Sequence, residues 1–200
     1  MKGRGYKMTP TLNLKKNDIL DLTKKEPSLN KLILAAGWDV AKKGFFSFGA
    51  DYDLDLVGLL LDENDRVLGN KGIIYYGNQR GTGIYLHGDN RTGAGDGDDE
   101  KISLSLKELP SNCHKVVFAL TIYDAEKRKQ GFAQVKNAYV RLLNEEKGYS
   151  EICRYNLTED GGNSTGIIFA ELYKANGDWE FKAVGRLLNA SVSTLANMYK

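Results

Sequence analysis

Thirteen consecutive residues, from Gly88 to Glu100, hold five carboxylates and four glycines and no large apolar side chain. Such a stretch cannot enter a core, so any fold the chain adopts must leave it at a surface. Asp89, Asp96, Asp98, Asp99 and Glu100 repel one another at this spacing. Glycine also loses more backbone freedom on ordering than any other residue, so something positive has to gather the oxygens if the loop is to be fixed. A hard divalent cation does this: calcium takes about six to eight oxygens from carboxylates, carbonyls, amides and water, and glycine lets the backbone turn to present them. The bland alternative is a solvated acidic loop with no ligand, and the loop alone does not decide between the two.

Established loop signatures do not apply. Asp89 and Glu100 stand at the first and twelfth places of an EF-hand loop, but Arg91, Gly93 and Ala94 occupy places that need ligands and a glycine. The aspartate-glycine repeat of calcium-binding β-helices is also absent, since the pattern occurs once. Further ligands must therefore come from elsewhere in the chain. The segment Asp51-Tyr52-Asp53-Leu54-Asp55 supplies three carboxylates at alternate positions, which a strand turns to one face. Asp39 follows an apolar run at the end of an expected strand, and Asn78 follows another with an amide oxygen to offer. Asp124 closes a third, either facing the same cluster or capping the next turn.

The rest of the chain reads as short strands. Apolar or alternating runs occur at Thr11 to Leu14, Leu29 to Ala36, Leu56 to Leu61, Arg66 to Leu68 with Ile73 to Tyr76, Lys101 to Leu106 and Lys115 to Tyr123. Others follow at Glu151 to Leu157, Thr165 to Lys174 and Trp179 to Val184, the last two flanking an Asn176-Gly177 hairpin turn. Gly131 to Asn144 reads as one helical turn and then a strand, and Leu187 to Tyr199 as a terminal amphipathic helix. This pattern predicts an all-β, antiparallel β-sandwich with a short helical turn in mid-chain and a C-terminal helix. No linker divides the chain, so residues 11–200 read as one domain behind a flexible basic tail at residues 1–10.

Several classes of function find little support. The net charge of +2 hides eight acids in 51–55 and 88–100, which leaves +10 on the remainder, but the lysines are scattered without interleaved aromatics, so no specific nucleic-acid surface is expected. No apolar run approaches the length of a membrane span, and the N-terminus lacks a signal-peptide core, so a cytoplasmic location is expected and three Asn-X-Thr tripeptides go unread. Cys113 and Cys153 have no metal or disulfide spacing and read as buried thiols. His87 and His114 have no evident catalytic partner, so a nucleophilic enzyme is not expected. A magnesium-dependent phosphoester hydrolase is the enzymatic rival, and it stands behind calcium because magnesium sites use one or two protein carboxylates.

From about Leu12 to about Leu187 the chain resembles the TerD family of tellurium-resistance and stress-response proteins. The resemblance runs through Gly37-Trp38-Asp39, Asp51 to Asp55, Gly88 to Glu100, Ile122-Tyr123-Asp124-Ala125, Gln134-Val135 with Asn137, Glu171-Leu172-Tyr173 and Ala183-Val184-Gly185. The basic extension before Thr9 and the Ala35-Ala36 pair depart from the family pattern. The resemblance implies a cytoplasmic calcium-binding β-sandwich, with two calcium ions in loops at one end and no established enzymatic activity. By position it implies Asp53, Asp55, Asp89, Asp98, Asp99 and Glu100 as ligands, with Asp39, Asp51, Asn78, Asn90 and Asp124 as further candidates. The expected partners are calcium and other stress or tellurium-resistance proteins, with the inner face of a membrane as one meeting place. Calcium-dependent docking on anionic membrane is the alternative reading.

Overall fold

Alternating side chains with one apolar face make strands that must stack to hide that face, and here they stack as two sheets. The computed structural model describes residues 11–40, 52–88, 97–158 and 160–200. In chain order the elements are β1 (Leu12–Leu14), β2 (Ile19–Asp21), α1 (Leu22–Lys25), β3 (Lys31–Val40), β4 (Leu54–Leu61), β5 (Ile73–Ile74), β6 (Arg80–Gly81) and β7 (Ile84–Leu86). Then follow β8 (Glu100–Ser105), β9 (Lys115–Ile122), α2 (Ala125–Arg128), β10 (Val135–Asn144) and β11 (Ser150–Asn156). The chain closes with β12 (Gly166–Ala175), β13 (Asp178–Leu188) and α3 (Val192–Asn197). One sheet has seven strands in the order β1-β11-β10-β3-β8-β7-β6, the other six in the order β2-β13-β12-β9-β4-β5. The sandwich read from the sequence is therefore the fold. All pairings are antiparallel except β1 with β11, which run parallel.

The core lies between the sheets. Leu32, Leu34 and Trp38 of β3 and Ile102 and Leu104 of β8 face Leu54, Leu56 and Leu60 of β4 and Phe118 and Leu120 of β9. Tyr155 of β11 meets Phe169 of β12 edge to face, with ring centroids 5.9 Å apart, and so joins the layers. β4 is buried at every position because its other face, Val57, Leu59 and Leu61, is covered by Ala190 and Leu195 of the C-terminal segment. That face explains the unbroken apolar run that the sequence shows there. Both cysteines are buried free thiols, and burial pushes Cys113 up to about 11 and Cys153 up to about 12.

Several boundaries differ from the sequence reading. β3 runs on through Gly37, Trp38 and Asp39, because Tyr139 and Lys136 of β10 continue the ladder beyond Ala36. Leu187 and Leu188 belong to β13, paired with Ile167 and Gly166, so the terminal helix is shortened to α3. Arg66 to Leu68 makes only an isolated bridge, Leu61 with Val67. The short strands β2, β6 and β7 have no strong local signal and are decided by their partners in the sheets, while α1 is capped locally by Asp21, which accepts from Lys24 N at 2.9 Å. Mid-chain, a 3₁₀ turn at Phe132–Gln134 leads into β10 as expected.

Candidate functional site

β7 and β8 pair antiparallel, Leu86 opposite Ile102, so the acidic stretch is the connection between them. One end is closed by the His87 N–H donating to Lys101 O at 2.9 Å. His87 also has a side-chain partner that the sequence did not reveal: its Nε2 lies 2.5 Å from Ser103 Oγ, two strands' worth of chain away, and burial holds its pKa below the ordinary value. Asp89 and Asn90 of this loop, and Asp51, lie outside the described residues.

The three acids that end the loop take three different partners. Glu100 shares the inward face of β8 with Ile102 and Leu104, is 3% exposed, and reaches across the sandwich, where its Oε2 accepts the N–H of Leu56 at 2.6 Å. That N–H needs an acceptor because, among the described residues, the β4–β5 ladder reaches no further than Gly58 and Leu59. Asp99 continues the ladder with β3 by other means: its N–H donates to Ala36 O and its Oδ2 accepts the N–H of Trp38, both at 2.8 Å. Asp98 lies on the outer face of the seven-stranded sheet under Arg141 of β10. The guanidinium grips it with Nε to Oδ1 at 2.7 Å and Nη2 to Oδ2 at 2.8 Å, and the Tyr139 hydroxyl donates to Oδ1 at 3.1 Å. Burial alone would raise the Asp98 pKa, but the Arg141 fork outweighs it and holds the carboxyl below its ordinary value. The same surroundings, burial first and then the Asp98 charge, push Tyr139 up to about 12.

Tyr139 explains the glycine of Gly37-Trp38-Asp39. It sits opposite Gly37 in the β3–β10 ladder, and a Cβ on Gly37 would lie 2.5 Å from its Cζ and hydroxyl oxygen. Trp38 turns into the core, and Asp39 is exposed, accepting from the Asn137 amide at 2.7 Å beside a cleft of about 370 Å³ lined by Trp38, Gly97, Tyr139 and Arg154. Gly37→Ala is expected to push the ring off β3, losing the Asp98 bond and the Arg154 guanidinium that stacks on the ring at 4.2 Å. The cost should be about 2 kcal/mol in denaturant unfolding, the scale of overpacking. A variant as stable as its parent would show that the ring does not rest on Gly37.

The other acid-rich segment enters β4. Asp53 is half-buried just before the strand, its carbonyl accepting from Tyr123 N at 2.8 Å. Asp55 alternates with core-facing Leu54 and Leu56, so it shares the outer face of the six-stranded sheet and is 5% exposed. It lines a cleft of about 420 Å³ with Tyr75, Tyr76, Thr121, Tyr123 and Asp124. Tyr76 titrates above its ordinary value there, through burial first and then the charge of Asp55. Asp124 is left-handed at φ 52° and stands at the N-cap of α2, where its carbonyl accepts from Arg128 N at 2.9 Å and its side chain makes no capping bond; it lines the same cleft as Asp55. Asn78 spends its amide nitrogen on Ile73 O at 2.7 Å and Asn70 O at 3.3 Å, which fastens the turn between β5 and β6.

The acids thus gather toward one end of the sandwich and are spread over three of its surfaces. All the candidate donors are hard oxygens, which suits calcium chemically. Among the described residues, however, no three His, Cys, Asp or Glu side chains stand together as a set able to hold an ion. Among the described residues, no helix is long and apolar enough to cross a membrane.

The model of the TerD domain matches residues 10–199. The chain is 42% identical over 191 residues to general stress protein 16U of Bacillus subtilis, covering 94% of this chain and 97% of that one. It is 39% identical over 191 residues to the tellurium resistance protein TerD of Serratia marcescens, with the same coverage. Among solved structures, a homologue of telluride resistance protein (TerD) from Streptomyces coelicolor superposes with a TM-score of 0.68 at 20% identity, covering 86% of this chain and 99% of that one.

Proposed function

The chain belongs to the TerD family of tellurium-resistance and stress proteins, and from that premise we propose that it is a cytoplasmic, non-enzymatic stress-response protein that binds about two calcium ions at the acidic end of its sandwich and offers the ordered surface to a partner. The observation that carries the reading is the Glu100 to Leu56 hydrogen bond. It ties the end of the 88–100 segment to the start of β4, so the described ends of two acid-rich stretches 44 residues apart are tethered to each other. Repulsion opposes such a meeting unless the charge is neutralised.

Asp53, Asp55, Asp99 and Glu100 would be the described contributors, divided between two ions because Asp55 lies on the outer face of β4 and Glu100 inside the sandwich, with Asp51, Asp89 and Asn90 as further candidates. Bound calcium supplies positive charge and a preference for many oxygens. Asp99 and Glu100 are oriented by the backbone N–H groups of Trp38 and Leu56, so their carboxylates are already turned and partly desolvated. Two calcium ions would take the formal charge from +2 to +6, turning a repelling pole into one that attracts an anionic partner.

Calorimetric titration of the full chain with calcium tests the reading. About two sites, weakened by Asp53→Asn, are expected, with magnesium binding more weakly. No heat and no bound calcium after equilibrium dialysis would sink it. Sedimentation with anionic vesicles in calcium separates a protein partner from the membrane alternative.

A further inference from the structure

We propose that Arg141 is a built-in counter-cation that clamps the end of the acidic loop through Asp98, so that Asp98 positions the calcium-binding segment and is not itself a ligand. The inference rests on the calcium reading and changes the ligand set that the family resemblance implies.

Both oxygens of Asp98 already have strong donors. Arg141 takes one with Nε and the other with Nη2, Tyr139 adds a third bond, and Lys101 Nζ lies 3.5 Å from Oδ2. The side chain is 2% exposed, so these bonds act with little competition from water. A planar guanidinium matched to a carboxylate edge is the strongest pairing available to side chains, and lysine cannot reproduce it. With Oδ1 taken by Arg141 and Tyr139, a divalent ion could take only the remaining lone pair of Oδ2, beside the positive charges of Arg141 and Lys101.

Arg141 is itself held from behind. Its Nη1 donates to Glu151 Oε2 at 3.0 Å, and Glu151 also pairs with Arg154 at 3.3 Å, whose guanidinium lies over Tyr139. Beneath Arg141 the ladder partner on β3 is Ala35, a small, fully buried residue. The clamp is therefore set by side chains of β10 and β11 packed on β3, and it delivers the next two residues to Trp38 and Leu56. Residues that orient ligands in this way commonly change metal affinity about 10- to 100-fold when replaced.

Asp98→Asn, Arg141→Met and the double variant, titrated with calcium, test the proposal. The clamp predicts that all three keep the parent's number of bound calcium ions, bind about 10- to 100-fold more weakly, and that the double variant is no worse than either single. In calcium-free parent protein the amides of Trp38 and Asp99 should exchange slowly with solvent, and faster in each variant. Arg141→Lys, the milder change, should fall between. Asp98→Asn losing one bound ion while Arg141→Met binds calcium as well as or better than the parent would overturn the clamp. So would fast exchange at Trp38 and Asp99 that only calcium slows. Parent protein that binds no calcium would overturn the proposal through the reading it rests on, a failure recognisable because the variants then have no affinity to lose.

Discussion

Calcium at a hundredfold excess over its dissociation constant is expected to raise the unfolding free energy by about 2.7 kcal/mol for each bound ion, provided the unfolded chain does not bind it. Two ions then contribute about 5 kcal/mol, and for a chain of this length each kcal/mol moves the midpoint by about 2–4 °C. A rise of about 10–20 °C over chelator-treated protein follows, large enough to read in a thermal scan. Magnesium should give less, since it keeps its water and needs near-octahedral geometry. Asp53→Asn should remove much of the gain, whereas Asp178→Asn should not. Asp178 sits at the β12–β13 hairpin, while Gly166 at the far end of β12 pairs with Thr121, which in turn pairs with Asp55. Equal midpoints in calcium and chelator would refute the calcium reading.

Gly185→Ala is expected to destabilise the protein by about 3 kcal/mol, from two separable causes. Gly185 of β13 has φ +59°, a conformation that costs an L-residue roughly 1 kcal/mol. A Cβ there would also lie 2.0 Å from the Tyr155 hydroxyl oxygen and 3.0 Å from its Cζ, on one of the largest fully buried side chains. Displacing a ring that packs on Phe169 between the sheets should add about 2 kcal/mol. Gly148→Ala isolates the first cause, since φ there is +66° and no atom lies within 4 Å of the added carbon. Tyr155→Phe in the Gly185→Ala background should recover part of the loss by removing the struck oxygen. If the two glycine variants cost the same in denaturant unfolding, Tyr155 does not lie against Gly185.

How far the sequence was legible depends on how local each signal is. Lys101 to Leu106 alternates strictly and forms β8 almost as read, because one buried face requires a period of two. The Asn176-Gly177 pair closes β12 on β13 for an equally local reason, φ of +53° and +91° at those two positions. β2 and β7, three residues each, carry no such period; β13 and β8 hold them in register. Leu187 and Leu188 fit helical spacing as well as a strand, and pairing with Ile167 and Gly166 overrides the helical pattern at the end of β13.

The candidate site divides in the same way. Asp55 turning to the face opposite Leu54 is readable from alternation, whereas the cleft it lines with Asp124 follows only from the packing of β4 against β9. The partners of Asp98, Asp99 and Glu100 were not readable. Arg141 stands 43 residues from Asp98, Trp38 61 from Asp99, and Leu56 44 from Glu100, so each pairing exists only once the registers of several strands are set.

From its residues alone the chain determined an all-β fold and two acid-rich segments, because hydrophobic period acts between near neighbours; the expectation that the whole 88–100 stretch stays at the surface fails at its end, where Asp99 and Glu100 are buried on backbone N–H groups. Only the tertiary structure decided that three consecutive acids turn to an arginine, a β3 amide and a β4 amide. Those directions follow from strand register and from how the layers close, which no short stretch of sequence carries.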